Sequence, residues 1–160
     1  MSPEERVRLI EQYARGPEAL RVALTDAPEE MHHWRPAPDE WSVHEIVCHC
    51  ADSEMVTATR IRWLIAAQEP TIVAMDQDEW ARALDYPHRD LVDALAVIDA
   101  VRMWTAPLLT RIPEDVWTKV GHHTETGPVT ANDWLETYAS HLHGHADQIR
   151  ANVEAWKAQD

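Results

Sequence analysis

Residues 134 to 153 read WLETYASHLHGHADQIRANV. Within this stretch Trp134, Tyr138, His141, His145, Gln148 and Asn152 recur at steps of four and three. That spacing sets them in one stripe along a helix. A second row, Leu135, Leu142, Ile149 and Val153, is apolar and lies beside it. A helix with such a face packs against neighbouring helices. Two histidines one turn apart, His141 and His145, therefore stand where a bundle wants Leu or Ile. His143, about 200° round the helix from His141, faces solvent or another helix.

Working outward from this helix, Thr130 is its expected N-cap and Lys157 its approximate end. The preceding stretch, from Ile112-Pro113 to Thr130, reads as irregular. A third helix spans about Asp90 to Leu109, with Leu91, Leu95, Ile98, Val101 and Leu108 as apolar positions and Pro107 expected to kink or end it. From Gln68 to Arg89 the chain is long for a turn and holds one short helix around Glu79 to Leu84. Such a length suits a crossover between the second and third helices. The second helix begins at a capping box, Ser42 with Glu45, and runs to about Ala67 before Glu69-Pro70. Three prolines make Pro28 to Trp41 a loop. The first helix runs from about Pro3 to Leu24 on Val7, Ile10, Tyr13 and Leu20. Strand signals are weak throughout. The expected class is all-α: one four-helix-bundle domain over residues 1–160.

Composition narrows the partners. The formal net charge of −14 argues against nucleic acid, because phosphate binding needs clustered Lys and Arg. No apolar run is long enough to span a bilayer, and MSPEERVRLIEQY is too charged for a signal peptide. A cytoplasmic protein with no membrane partner is expected. Cys48 and Cys50 are too few for a disulfide framework and point about 200° apart on a helix. Eight Trp, ten His and no Phe mean that Trp either fills the core in place of Phe or lines a cavity or rim.

Imidazoles at i and i+4 sit close enough to share one metal ion. Without an ion, two nearby imidazoles depress each other's pKa and waste core volume. A lone pair is more often an edge feature than a ligand pair, so a third ligand is required. His49 on the second helix shares a stripe with Ser42, Ile46, Ser53 and Val56 and is the candidate. His49, His141 and His145 together would make a site open on one side, the form of catalytic rather than structural zinc. A competing pattern, His44-Glu45-Ile46-Val47-Cys48, resembles HExxH with Cys in the second His position, but no third ligand is specified for it. His122-His123 and His32-His33 read as loop pairs that at most rim a site.

Three blocks carry a family resemblance. Trp34-Arg35-Pro36 precedes Glu40-Trp41-Ser42-Val43-His44-Glu45-Ile46-Val47-Cys48-His49. Ile112-Pro113-Glu114-Asp115 follows the third helix. His141-Leu142-His143-Gly144-His145-Ala146-Asp147-Gln148-Ile149 closes the pattern. Over nearly its whole length the chain resembles the DinB/YfiT-like superfamily of small metal-binding bundles, distinct from the translesion polymerase that shares the name. The resemblance implies an up-down-down-up bundle with a long crossover between helices two and three. It implies metal held by His49, His141 and His145, with zinc or nickel the common ions. Cys48 and Cys50 are not part of the family pattern and read as small core residues.

Relatives of this kind are described as thiol S-transferases that use bacillithiol, mycothiol or glutathione, or as metal-dependent hydrolases. Both chemistries suit a three-histidine site. An open ion can present a thiolate or lower the pKa of water. Hydrolysis also asks for a base, and the candidate Glu45, one turn before His49, is spoken for by its capping box. Metal-dependent transfer of a low-molecular-weight thiol onto a small electrophile, as in detoxification, is therefore the leading expectation. A third reading is a non-enzymatic bundle that serves for metal binding or for association as a homodimer. The sequence names neither the substrate nor a catalytic residue.

Overall fold

Ser2 accepts a hydrogen bond from the Glu5 amide and Pro3 takes the first helical position, so the chain enters α1 (Pro3–Thr25) at once. The computed structural model describes residues 1–159. The buried face of α1 is Arg6, Ile10, Tyr13, Gly16, Leu20 and Ala23, one residue out of phase with the expected stripe at its start. Val7 is exposed, and Arg6 turns inward instead. The reason is local: the Arg6 guanidinium stacks over the Trp117 ring and forks onto Glu114.

The remaining long helices are α2 (Val43–Ala66), α4 (Leu91–Leu109) and α5 (Ala131–Lys157), with a short α3 (Gln77–Ala83) in the crossover. Ser42 and Glu45 form the expected capping box of α2, and Thr130 with Asp133 forms another at α5. Pro107 lies inside α4, which ends two residues later at Leu109. Side-chain contacts fix the directions. Arg6 meets Asn132 and Gln12 meets His143, so α1 and α5 run parallel. Glu54 meets Arg102 and Arg62 meets Thr105, so α2 and α4 run parallel as well. Arg21 with Asp99, and Trp134 with Thr57, make the two pairs antiparallel to each other. The result is the up-down-down-up bundle, with the α2–α4 connection as its long crossover. Among the described residues no helix is long and apolar enough to cross a membrane.

Two stretches read as irregular from the sequence meet in a small sheet. β1 (Thr71–Ile72) pairs parallel with β2 (Val120–His123), which pairs antiparallel with β3 (Gly127–Thr130). Gly127, the first residue of β3 after the hairpin turn, takes a φ of 81°. Gly121 lets β2 lie against the bundle, since a Cβ there would stand 2.8 Å from Leu64 Cδ2. These strands are too short, and bury too few side chains, to show an alternating pattern.

The apolar core lies in two halves. One gathers Leu20, Val43, Ile46, Ile98, Leu142 and Ile149; the other gathers Ile10, Ile61, Leu64, Trp117, Trp134 and Leu135. At mid-bundle, between the two halves, sits a fully buried ion pair of Glu54 on α2 with Arg102 on α4. Pro17 has no N–H to offer the Tyr13 carbonyl one turn earlier. Arg102 Nη1 donates to that carbonyl instead, and the guanidinium lies 3.6 Å from the centre of the Tyr13 ring.

Candidate metal centre

His49 leaves the middle of the first half of α2, and His141 and His145 leave α5 opposite it. All three imidazoles meet where the two helices cross, with ligating nitrogens within 4.8 Å of one another. Ring centres are 5.7 Å apart for His49 and His141, 4.9 Å for His49 and His145, and 4.6 Å for His141 and His145. His49 is buried and the other two are half-buried.

Protonation follows from burial. It pushes the His49 imidazole down to about 3, with His145 adding to the effect. Burial likewise holds His141 at about 3, helped by His145, His49 and Arg102. His145 is lowered by the same cause, opposed by its bond to Gln148. At neutral pH all three rings are uncharged, the form in which imidazole binds a metal.

Gln148, one turn beyond His145, places its amide oxygen 2.9 Å from His145 Nδ1. An amide oxygen only accepts, so the proton of His145 sits on Nδ1 and the Nε2 lone pair is free. That lone pair faces His141 Nε2 at 3.3 Å. The buried Nδ1 atoms of His49 and His141 have no hydrogen-bond partner among the described residues. The walls are aromatic: the Trp41 ring lies 4.7 Å from His49, and the Tyr138 ring stands edge-on to His141 at 5.7 Å.

The other sequence candidates lie elsewhere. His44 stacks on His33 at 4.4 Å, and Cys48 donates to the Tyr86 carbonyl, so the HExxH-like pattern points away from the cluster. Glu45 is held by the Ser42 amide and hydroxyl and by Arg35. His32 bonds the Ala27 carbonyl, His143 bonds the Gln12 carbonyl, and His123 caps the hairpin amides of Glu125 and Thr126. His122 is exposed on β2. Burial raises the Cys48 thiol to about 11 and the Cys50 thiol well above its usual value, so neither offers a thiolate. Sequence reasoning placed Tyr138 and Gln148 on the histidine stripe but assigned them no part. The signal for Gln148 was its position three residues past His145 on the same face.

Fold and site together define a class: four-helix bundles with a histidine centre between the second and last long helices. The chain belongs to the DinB superfamily, whose model matches residues 12–149. A protein of Oceanobacillus iheyensis, provisionally named a metal-dependent hydrolase, is 27% identical over 134 residues, 83% of this chain and 77% of that protein. YfiT of Bacillus subtilis, named in the same way, is 24% identical over 151 residues, covering 93% of this chain and 84% of that one. The solved structure of YfiT, described as having an unusual four-helix bundle topology, matches with a TM-score of 0.90 at 22% identity. It covers 98% of this chain and 90% of that chain. This likeness shows the fold.

Proposed function

We propose that His49, His141 and His145 hold a divalent ion, zinc or nickel, and that the protein uses it to transfer a low-molecular-weight thiol onto a small electrophile. The observation that carries this reading is the convergence of three uncharged imidazoles with nitrogens within 4.8 Å. Two further features support it. His141 Nε2 and His145 Nε2 face each other as a metal would need them, and Gln148 fixes the tautomer that leaves the second lone pair free. Three protein ligands leave a position open for a reactant. The chemistry such an ion supplies when bound is a lowered pKa for a thiol or a water at that position.

The choice of thiol over water rests on the two glutamates of α2 that flank His49 in sequence. Glu45 is bound in its capping box and by Arg35, and Glu54 is forked onto Arg102. Neither is free to take a proton from water. A thiol held by the ion would give up its proton to solvent outright, whereas bound water would titrate only near pH 7. Trp41 and Tyr138 give the centre aromatic walls for an apolar electrophile to rest against. The second reading, hydrolysis of a small ester or amide, is favoured by the names of the Oceanobacillus and Bacillus relatives.

Elemental analysis of tag-free protein comes first. Wild type is expected to carry about one divalent ion per chain and His141→Ala to carry little. Absence of metal from both would end the reading. Conjugation of glutathione, bacillithiol and mycothiol to electrophiles is then measured beside ester and amide hydrolysis. Turnover with water alone would replace transfer by hydrolysis. Bound metal without turnover in either assay would leave a metal-binding module.

A further inference from the structure

Three arginines are buried in the bundle, and two of them have a carboxylate. Arg6 forks onto Glu114 and Arg102 onto Glu54. Arg60, only 8% exposed, makes no ion pair among the described residues. Its Nη1 donates to the Tyr138 hydroxyl at 3.0 Å and its Nη2 to the Val73 carbonyl at 2.5 Å. Its Nε is buried with no partner. A guanidinium cannot shed its proton to escape burial, and two neutral acceptors compensate only part of the cost of burying a full charge.

This cation forms part of the wall of a groove of about 330 Å³ between α2 and the segment from Val73 to Trp80. The rest of the lining is mostly apolar and aromatic, with Met55, Val56, Trp63, Met75 and Trp80. Asp52 also lines it, eight residues back along α2, and makes no ion pair with Arg60. Tyr138 joins the groove to the histidine centre, because its hydroxyl accepts from Arg60 while its ring stands against His141. That hydroxyl keeps its own proton for a ligand.

We infer that Arg60 is a substrate-anchoring residue that receives the carboxylate of a small, largely apolar molecule lying in this groove. The inference rests on reading the neighbouring histidines as the reacting centre. The guanidinium and the Tyr138 hydroxyl together give a charge-assisted seat for a carboxylate. Trp63 and Trp80 cover the apolar body. The charged end is then held next to Tyr138, whose ring stands against His141.

The test uses the full chain as purified, with phenylacetate and its neutral counterpart phenylacetamide as probes, titrated by calorimetry. Wild type is expected to prefer the carboxylate. Arg60→Met should lose about 10- to 100-fold of carboxylate affinity, the worth of a charged hydrogen bond, with amide binding and metal content unchanged. Arg60→Lys should keep part of the preference. In wild type the Arg60 Nε–H resonance should shift with phenylacetate and stay in place with phenylacetamide, a readout that needs no variant to fold. Equal binding of the two probes by wild type, an unmoved resonance, or an undiminished preference in folded Arg60→Met would overturn the proposal and reduce Arg60 to a tether for Val73. Loss of metal from the protein with carboxylate preference intact would sink the metal reading alone.

Discussion

The amide oxygen of Gln148 lies 2.9 Å from Nδ1 of His145, and this one contact decides which imidazole nitrogen is left bare toward His141. Both residues sit on the same face of α5, so the helix itself sets the geometry. Apart from the facing His141 ring, nothing else among the described residues hydrogen-bonds His145.

Gln148→Leu is therefore expected to weaken metal binding by about 10- to 100-fold, the usual cost of losing a partner behind a ligating histidine. Stability of the metal-free chain should change little, because Gln148 is only half-buried. Competition against a chromophoric chelator measures the first quantity and thermal unfolding of the metal-free protein the second. Unchanged affinity would mean that Gln148 does not select the tautomer.

The Glu54–Arg102 pair carries a different expectation. With side-chain exposures of 0% and 2%, neither partner can fall back on water. Arg102→Met strands the Glu54 carboxylate and also the Tyr13 carbonyl that Pro17 leaves without a helical donor. A loss of about 3–5 kcal/mol in urea unfolding is expected. Glu54→Leu combined with Arg102→Met should recover much of it, since removing both charges removes the uncompensated burial. A double variant as unstable as the single would refute this account.

Two glycines should respond with opposite signs. At Gly144, exposed in the middle of α5, an added Cβ meets nothing within 4 Å. Gly144→Ala should stabilise the chain by about 0.5–1 kcal/mol through helix propensity. At Gly121 the Cβ would meet Leu64 at 2.8 Å and the Pro70 carbonyl at 3.0 Å. Gly121→Ala should cost about 1–3 kcal/mol through overpacking. Melting temperatures of the two variants decide both.

Acid should weaken the fold partly through His44. Burial, and then the neighbouring His33, hold its pKa below the ordinary 6.5. As pH falls through 6.5, the unfolded chain binds a proton that folded His44 refuses, so stability declines until the lowered folded value is reached. His44→Phe, which keeps a flat ring against His33, should lose less stability than wild type between about pH 7.5 and about pH 5.5. Urea midpoints at the two pH values give the comparison. Equal losses would show that His44 does not contribute to the acid sensitivity.

Much of this is written locally. The i, i+4 pair of His141 and His145, the stripe holding His49, the caps at Ser42 and Thr130 and the stop at Glu69-Pro70 are all legible along the chain, because each depends on residues within a turn or two. Val7 shows where such reading slips. Its hydrophobicity predicts burial, yet Arg6 takes the inward place because Trp117 and Glu114, more than a hundred residues away, supply a ring and a carboxylate. The strands at 71–72, 120–123 and 127–130 escaped notice for a related reason: β1 finds its partner β2 in a different connection, and each strand alone has almost no pattern.

What the sequence by itself determined is the all-α class, the helix boundaries and the three histidines that meet. These follow from periodicity, capping and a shared motif. Only the tertiary structure decided which charges are compensated. Arg6, Arg60 and Arg102 are alike as letters, but packing gives two of them carboxylates and leaves the third with a phenol and a carbonyl. Helical periodicity is a property of neighbours in the chain, whereas the cost of burying a charge is set by whatever the fold brings against it.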